Sequence, residues 1–126
     1  MKLSNLMVVT AVVAAVFGIA FVLASGPLMS LYGATLNPAG TLIAQLFGAA
    51  LIGYAVVNWS ARNAKGDEAL RAIVLANFLA DTVGFIAALL GQLSGVTNAL
   101  GWSTVAIYLL LALCYAYFQF MKPSSP

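Results

Sequence analysis

The stretch LMVVTAVVAAVFGIAFVLAS, residues 6–25, runs for 20 positions without a charged side chain. A helix rises about 1.5 Å per residue, so about 20 apolar residues cross the ~30 Å hydrocarbon core of a bilayer. Lys2, the apolar run and Val22-x-Ala24 also resemble a cleavable signal peptide. Such peptides carry only about 7–15 apolar residues, so the stretch is read as a retained span. Working outward, residues 38–59, 70–90 and 100–120 repeat the pattern. Asn37-Pro38 opens the second run as a helix N-cap followed by proline, whose missing N–H costs nothing in a first turn. Asn98 is expected to cap the fourth. The fold class is therefore an all-α integral membrane four-helix bundle, one transmembrane domain spanning residues 1–126.

The rest of the composition agrees. The chain is 63% hydrophobic and 6% charged, whereas soluble domains carry about 25% charged residues. So few charges could not cover an aqueous surface, and the clustered Lys and Arg of a nucleic-acid footprint are absent, so no nucleic-acid partner is expected. The sequence has no His, which excludes a His-ligated haem, a His-containing zinc or copper site and a His general base. A single cysteine, Cys114, rules out an intrachain disulfide or a Cys-x-x-Cys pair and is read as packing. No phosphate loop, nucleophile arrangement or carboxylate pair occurs. The chain is expected to be non-enzymatic, with no cofactor and no metal site.

Basic residues set an orientation. Lys2 precedes span one, Arg62 and Lys65 lie between spans two and three, Arg71 opens span three, and Lys122 follows span four. All fall on one side if the chain weaves four times. The positive-inside rule then places both termini in the cytoplasm. Asp67 and Glu68 stand at the start of span three, where a helix dipole favours acids. Trp59 and Trp102 fall at opposite ends, as interfacial anchors do. The first outer loop, residues 26–37, is apolar enough to form a short interfacial helix with Tyr32 at headgroup level. The tail, residues 123–126, is expected to fray.

One charge has no place in this scheme. Asp81 lies near the middle of span three, where an ionisable side chain costs about 3 kcal/mol on insertion scales and is by default a functional candidate. No Lys or Arg lies at its depth in any span, so the carboxyl is expected to be neutral, or ionised only among water and several donors. Asn77, Asp81, Gly84, Ala88 and Gln92 fall on one helical stripe. Gln45 and Tyr108 lie within about one turn of the same depth, giving a candidate intramembrane polar site of Asp81, Asn77, Gln45 and Tyr108. Span four carries its own stripe of Thr104, Tyr108, Tyr115 and Gln119. Thr10 is placed near the level of Asn77. Small residues that let helices approach closely recur at Ala44-x-x-x-Gly48 and Ala49-x-x-x-Gly53, and at Gly84. The motif Asn-x-x-Gly opens two spans, at residues 37–40 and 98–101, hinting at two related hairpins.

Three stretches, LYGATLNPAG (residues 31–40), LFGAALIGYAVVNW (46–59) and LSGVTNALGWSTVAIYLLLA (93–112), resemble a group of small bacterial four-span membrane proteins of unassigned activity. In length, span number and Gly-rich second helix the chain is also loosely similar to DoxX-like four-helix membrane proteins. The first resemblance implies a multi-pass protein of the bacterial cytoplasmic (inner) membrane. The second implies a subunit beside an oxidoreductase that supplies the redox chemistry. The leading expectation is a structural or accessory subunit packing in the lipid bilayer against a larger membrane protein complex or as a homo-oligomer. The rival is a carrier or binder of a small apolar or protonatable molecule anchored on Asp81.

Overall fold

Pro27 shapes the first helix. Its ring nitrogen has no hydrogen to donate, and its ring crowds the carbonyl four residues back, at Leu23. In the computed structural model, which describes residues 1–66 and 68–121, helix α1 runs Leu3–Leu31 but leaves helical geometry at Ala24 (φ −146°, ψ 46°). Kinks of this kind need an identifiable cause, and proline is the usual one. The first part of the connection between spans one and two, residues 26–31, is therefore helical, but as the continuation of α1 beyond the kink; residues 32–37 are turn and coil. Tyr32 is turned inward and buried, and the hydroxyl accepts a hydrogen bond of 3.2 Å from Thr104. The side chain packs inward because a partner on another helix satisfies its polar tip.

Helix α2 spans Pro38–Ala61, α3 Glu68–Leu93 and α4 Gly101–Ala116, the last continued by a π-helical segment Tyr117–Met121. No strand occurs among the described residues. All four helices, α4 taken with its π segment, are long and apolar enough to cross a membrane. Asp67, Lys122 and residues 123–126, to which the sequence reading gave places, lie outside the described residues.

Local signals explain the ends. Asn37 accepts a 2.6 Å hydrogen bond from the Gly40 N–H, the N-cap expected of it. Asn98 acts two residues ahead of the cap position. Its carboxamide oxygen accepts from the Leu100 N–H at 3.0 Å, while α4 itself begins at Gly101. Helices α1 and α3 end alike. Gly33 and Gly95 both take φ of +77°. The following residues, Ala34 and Val96, donate back to the Met29 and Gly91 carbonyls, at 2.9 and 3.0 Å. This is the Schellman geometry that glycine makes affordable. The two hairpins thus share a glycine stop as well as the Asn-x-x-Gly start.

Backbones approach most closely within the hairpins α1–α2 and α3–α4. Between hairpins, side chains make the contacts. Leu6, Met7, Leu70, Val74, Tyr115 and Phe118 form a dry cluster at the end that carries the N-terminus. Lys2, Arg62 and Arg71 neighbour residues packed into or against that cluster, so these basic residues gather at one end of the molecule. The outer flanks are apolar, with Leu42, Ile43 and Leu46 all more than half exposed. A helix apolar on every side is the sign of a membrane span. At the other end the hairpins are tied by Asn98, which donates from its backbone to the Tyr32 carbonyl at 2.8 Å and from its side chain to the Leu31 carbonyl at 3.0 Å.

Candidate functional site

Just above the dry cluster lies a polar layer with one residue from each helix. Thr10 of α1 and Tyr115 of α4 share a 2.7 Å hydrogen bond. Asn58 of α2 and Asn77 of α3 exchange reciprocal carboxamide bonds of 3.1 and 2.8 Å. The Tyr115 hydroxyl lies 3.5 Å from the Asn58 oxygen, a weak link between the two pairs. Asn58 also donates to the Tyr54 carbonyl at 3.0 Å. Each of these groups is buried, and each has a partner. In an apolar medium an amide without a partner would cost several kcal/mol, so the layer pins the rotation of all four helices at once. Asn77→Leu alone is expected to destabilise the bundle by about 1–3 kcal/mol, because it strands the Asn58 carboxamide. Asn58→Leu should do the same, and the double variant should cost less than the two singles together by about 1 kcal/mol. Thermal unfolding of the four proteins in one detergent measures the cycle.

One helical turn beyond Asn77 the pattern reverses. Asp81 is 3% exposed, and its Oδ2 has no hydrogen-bond partner among the described residues; the same holds for the buried Tyr54 hydroxyl. Both residues line a cavity of about 260 Å³ between the two hairpins. Its walls are otherwise mostly apolar, with Phe17 and Phe21 from α1, Phe47 from α2 and Ile107 from α4. Phe21 and Phe47 meet edge to face, their centroids 5.3 Å apart. The far wall is built from the segment of α1 beyond the Pro27 kink, through Met29 and Tyr32, and from the α3–α4 connection, through Val96 and Thr97. That connection is itself fixed, since Thr97 donates to the Gln92 side chain at 2.7 Å and Gln92 donates to the Asn98 carbonyl at 3.0 Å. The Asn98 tie therefore holds both parts of this wall together.

Of the residues singled out in the sequence, Asp81 and Tyr108 line the cavity together. The Tyr108 ring lies so close over Gly84 that a Cβ there would overlap it. Asn77 sits one turn away in the polar layer. Gln45 does not join them. It is exposed on the outer face of α2, nine residues from Tyr54. Nine residues are about two and a half turns, which puts the two side chains on opposite sides of the helix. Asn58 pairs with Asn77, so Asp81 lies level with Tyr54, and Gln45 misses it in depth, by about 13 Å at 1.5 Å per residue, as well as in rotation. Gly48 packs against the Gly18 backbone of α1, and Ala44 is half-buried, whereas Ala49 and Gly53 face outward.

Tyr54 and Asn58 were missed. Phe47, Leu51, Tyr54 and Asn58 follow steps of four, three and four, the same rhythm that marked the Asp81 stripe, and reading it on α2 would have found them. Chemically the site offers a carboxyl oxygen and a phenol without partners, set in an aromatic and aliphatic wall. Comparison with family models, with curated proteins and with solved structures finds no match to this chain.

Proposed function

We propose that this is a multi-pass protein of the bacterial cytoplasmic membrane that holds a small, mostly apolar molecule inside its bundle, with Asp81 and Tyr54 engaging the molecule's polar end. One observation carries the reading. The bundle satisfies every polar group of the layer beside the cavity, yet Asp81 and Tyr54, which line a 260 Å³ space, keep a buried Oδ2 and a buried hydroxyl with no partner among the described residues. Buried polar groups are ordinarily hydrogen-bonded, and exceptions call for a role. A few convergent polar groups in a mostly apolar concavity describe a small-molecule site. The gathering of basic residues at the N-terminal end supports an orientation with both termini in the cytoplasm.

The test uses the protein in lipid nanodiscs, titrated with 2-phenylethanol and followed by backbone amide shifts. Saturable shifts are expected at Gly84, Ala88 and Gly101, which border or line the cavity. They should vanish in Ala88→Phe, which fills it, while that variant keeps its helical circular dichroism. Shifts that grow linearly and alike in both proteins would mean partition into lipid and would sink the reading.

A second reading, docking on a larger membrane complex or on another copy, draws on Ala49 and Gly53. A Cβ at Gly53 would meet nothing within 4 Å, so this small-residue face is not used inside the chain. Mass spectrometry after gentle detergent extraction tests it, and migration as a bare monomer would rule it out.

A further inference from the structure

We infer that the molecule held in the cavity is an organic cation, a primary amine on a short apolar stem; this rests on the small-molecule reading above and narrows it. The argument begins with the charge inventory of the wall. Helix α1 contributes Thr10 and its C-cap Tyr32 as polar groups, α2 Tyr54, α3 Asp81, α4 Thr104 and Tyr108, and the α3–α4 connection Thr97. No Lys or Arg among the described residues lines the cavity. Lys2, Arg62 and Arg71 lie at the far side of the polar layer and the dry cluster, and Arg62 is stacked over the Trp59 ring at 4.0 Å. An ionised Asp81 therefore has no counter-charge from the protein, and a ligand that brings one makes the site neutral.

Hydrogen-bonding capacity points the same way. An ammonium group has three N–H donors and no acceptor, while a carboxylate only accepts and a phenol oxygen has lone pairs free. Asp81 and Tyr54, whose Oδ2 and hydroxyl have no partner among the described residues, both line the cavity, and one ammonium has donors enough for both residues. An alcohol could donate to Asp81 and accept from the Tyr54 O–H, but it brings no charge to answer an ionised carboxylate. A carboxylate or phosphate would meet Asp81 with like charge and find no cation. The aromatic lining adds to the selection, because the faces of Phe and Tyr rings attract cations and become more effective where water is excluded.

Volume limits the stem. A cavity of about 150 Å³ holds a benzene ring, so the 260 Å³ here suits a ligand of about ten heavy atoms by simple proportion. An arylalkylamine has that size, with its ring among Phe17, Phe21 and Phe47.

The experiment compares three probes of matched shape, 2-phenylethylamine, 2-phenylethanol and phenylacetate, at pH 7, where the amine is an ammonium. The protein is held in nanodiscs of zwitterionic phosphatidylcholine, so that no surface charge concentrates the amine. The amine should bind at least about tenfold more tightly than the alcohol, as a charge-assisted hydrogen bond replaces a neutral one. Phenylacetate should show no saturable binding. In Asp81→Asn the advantage of the amine over the alcohol should disappear, with binding of the alcohol little changed. The wild-type comparison alone decides the matter if that variant does not fold. An alcohol that binds as tightly as the amine, or saturable binding of phenylacetate, overturns the inference and leaves the small-molecule reading standing. No saturable binding of any probe removes both.

Discussion

Asp81→Leu is expected to make the bundle more stable and to abolish its preference for a cationic ligand. Stability gained at a residue whose loss removes function is the signature of a site maintained against folding. The carboxyl is 3% exposed and its Oδ2 is unpartnered. Leaving such a group buried costs about 1–3 kcal/mol, and leucine of similar reach replaces that cost with apolar contact. For a bundle of this size the midpoint of thermal unfolding should rise by about 5 °C. The contrast with Asn77→Leu, one turn away on the same face of α3, gives the test its force. Asn77 sits in a closed pair with Asn58, so its replacement should lower the midpoint by a similar amount. Two polar-to-leucine changes four residues apart should therefore move stability in opposite directions. Unfolding of both variants in one detergent, followed by circular dichroism, reads the result. If Asp81→Leu destabilised as Asn77→Leu does, Asp81 would be a structural hydrogen-bonding residue, and the functional weight placed on it would be misplaced.

How much of this was legible beforehand depended on which physical variable each residue needed. The spans were readable because hydropathy is a property of local sequence, and the Asn37 cap because its partner is three residues away. Asp81 was conspicuous for the same reason, as an acid inside an apolar run needs no neighbour to be noticed. Helix rotation was another matter. Gln45 points outward and lies about two and a half turns from Tyr54, the α2 residue that the Asn58–Asn77 pair sets level with Asp81; only the packing of α2 on its neighbours fixes that register and rotation. Asn58 and Tyr54 hold the positions that Gln45 was expected to share, and their stripe on α2 carried the information unread. The kink at Ala24 follows from Pro27, but its consequence, an outer wall that draws Tyr32 inward, depends on Asn98, which is 67 residues from the Leu31 carbonyl it holds. The cavity itself could not be read at all. It is space left between two hairpins whose side chains meet elsewhere, and no residue encodes a void.

That dependence on α1–α2 packing makes Gly48 the position where a single atom should do most damage. A Cβ at Gly48 would lie 2.6 Å from the Gly18 carbonyl oxygen and 2.9 Å from the Phe21 Cβ. The same is true from the other side, where a Cβ at Gly18 would lie 2.9 Å from the Gly48 carbonyl oxygen. Two of these three contacts are with backbone, which cannot rotate aside as a side-chain tip can, so the helices themselves must part. Gly48→Ala is expected to cost about 1–3 kcal/mol, the ordinary range for overpacking, and Gly48→Leu more than about 3 kcal/mol. Gly53 supplies the control, five residues along the same helix. It faces outward with nothing within 4 Å of an added Cβ, and Gly53→Leu should change stability by less than about 1 kcal/mol, with helix propensity favouring the substitution. The loss at Gly48 should reach the cavity as well. Phe21 and Phe47 stand beside the Gly18–Gly48 crossing, one on each helix, and both line the cavity. Parting the helices moves that aromatic wall, so Gly48→Ala should lose saturable binding of 2-phenylethylamine while it remains folded enough to measure. Midpoints of unfolding for the three variants, with ligand titrations of Gly48→Ala and Gly53→Leu, settle the matter. Equal midpoints for the two leucine variants would show that the glycine crossing does not hold the hairpin together, and the cavity would need another account of its shape.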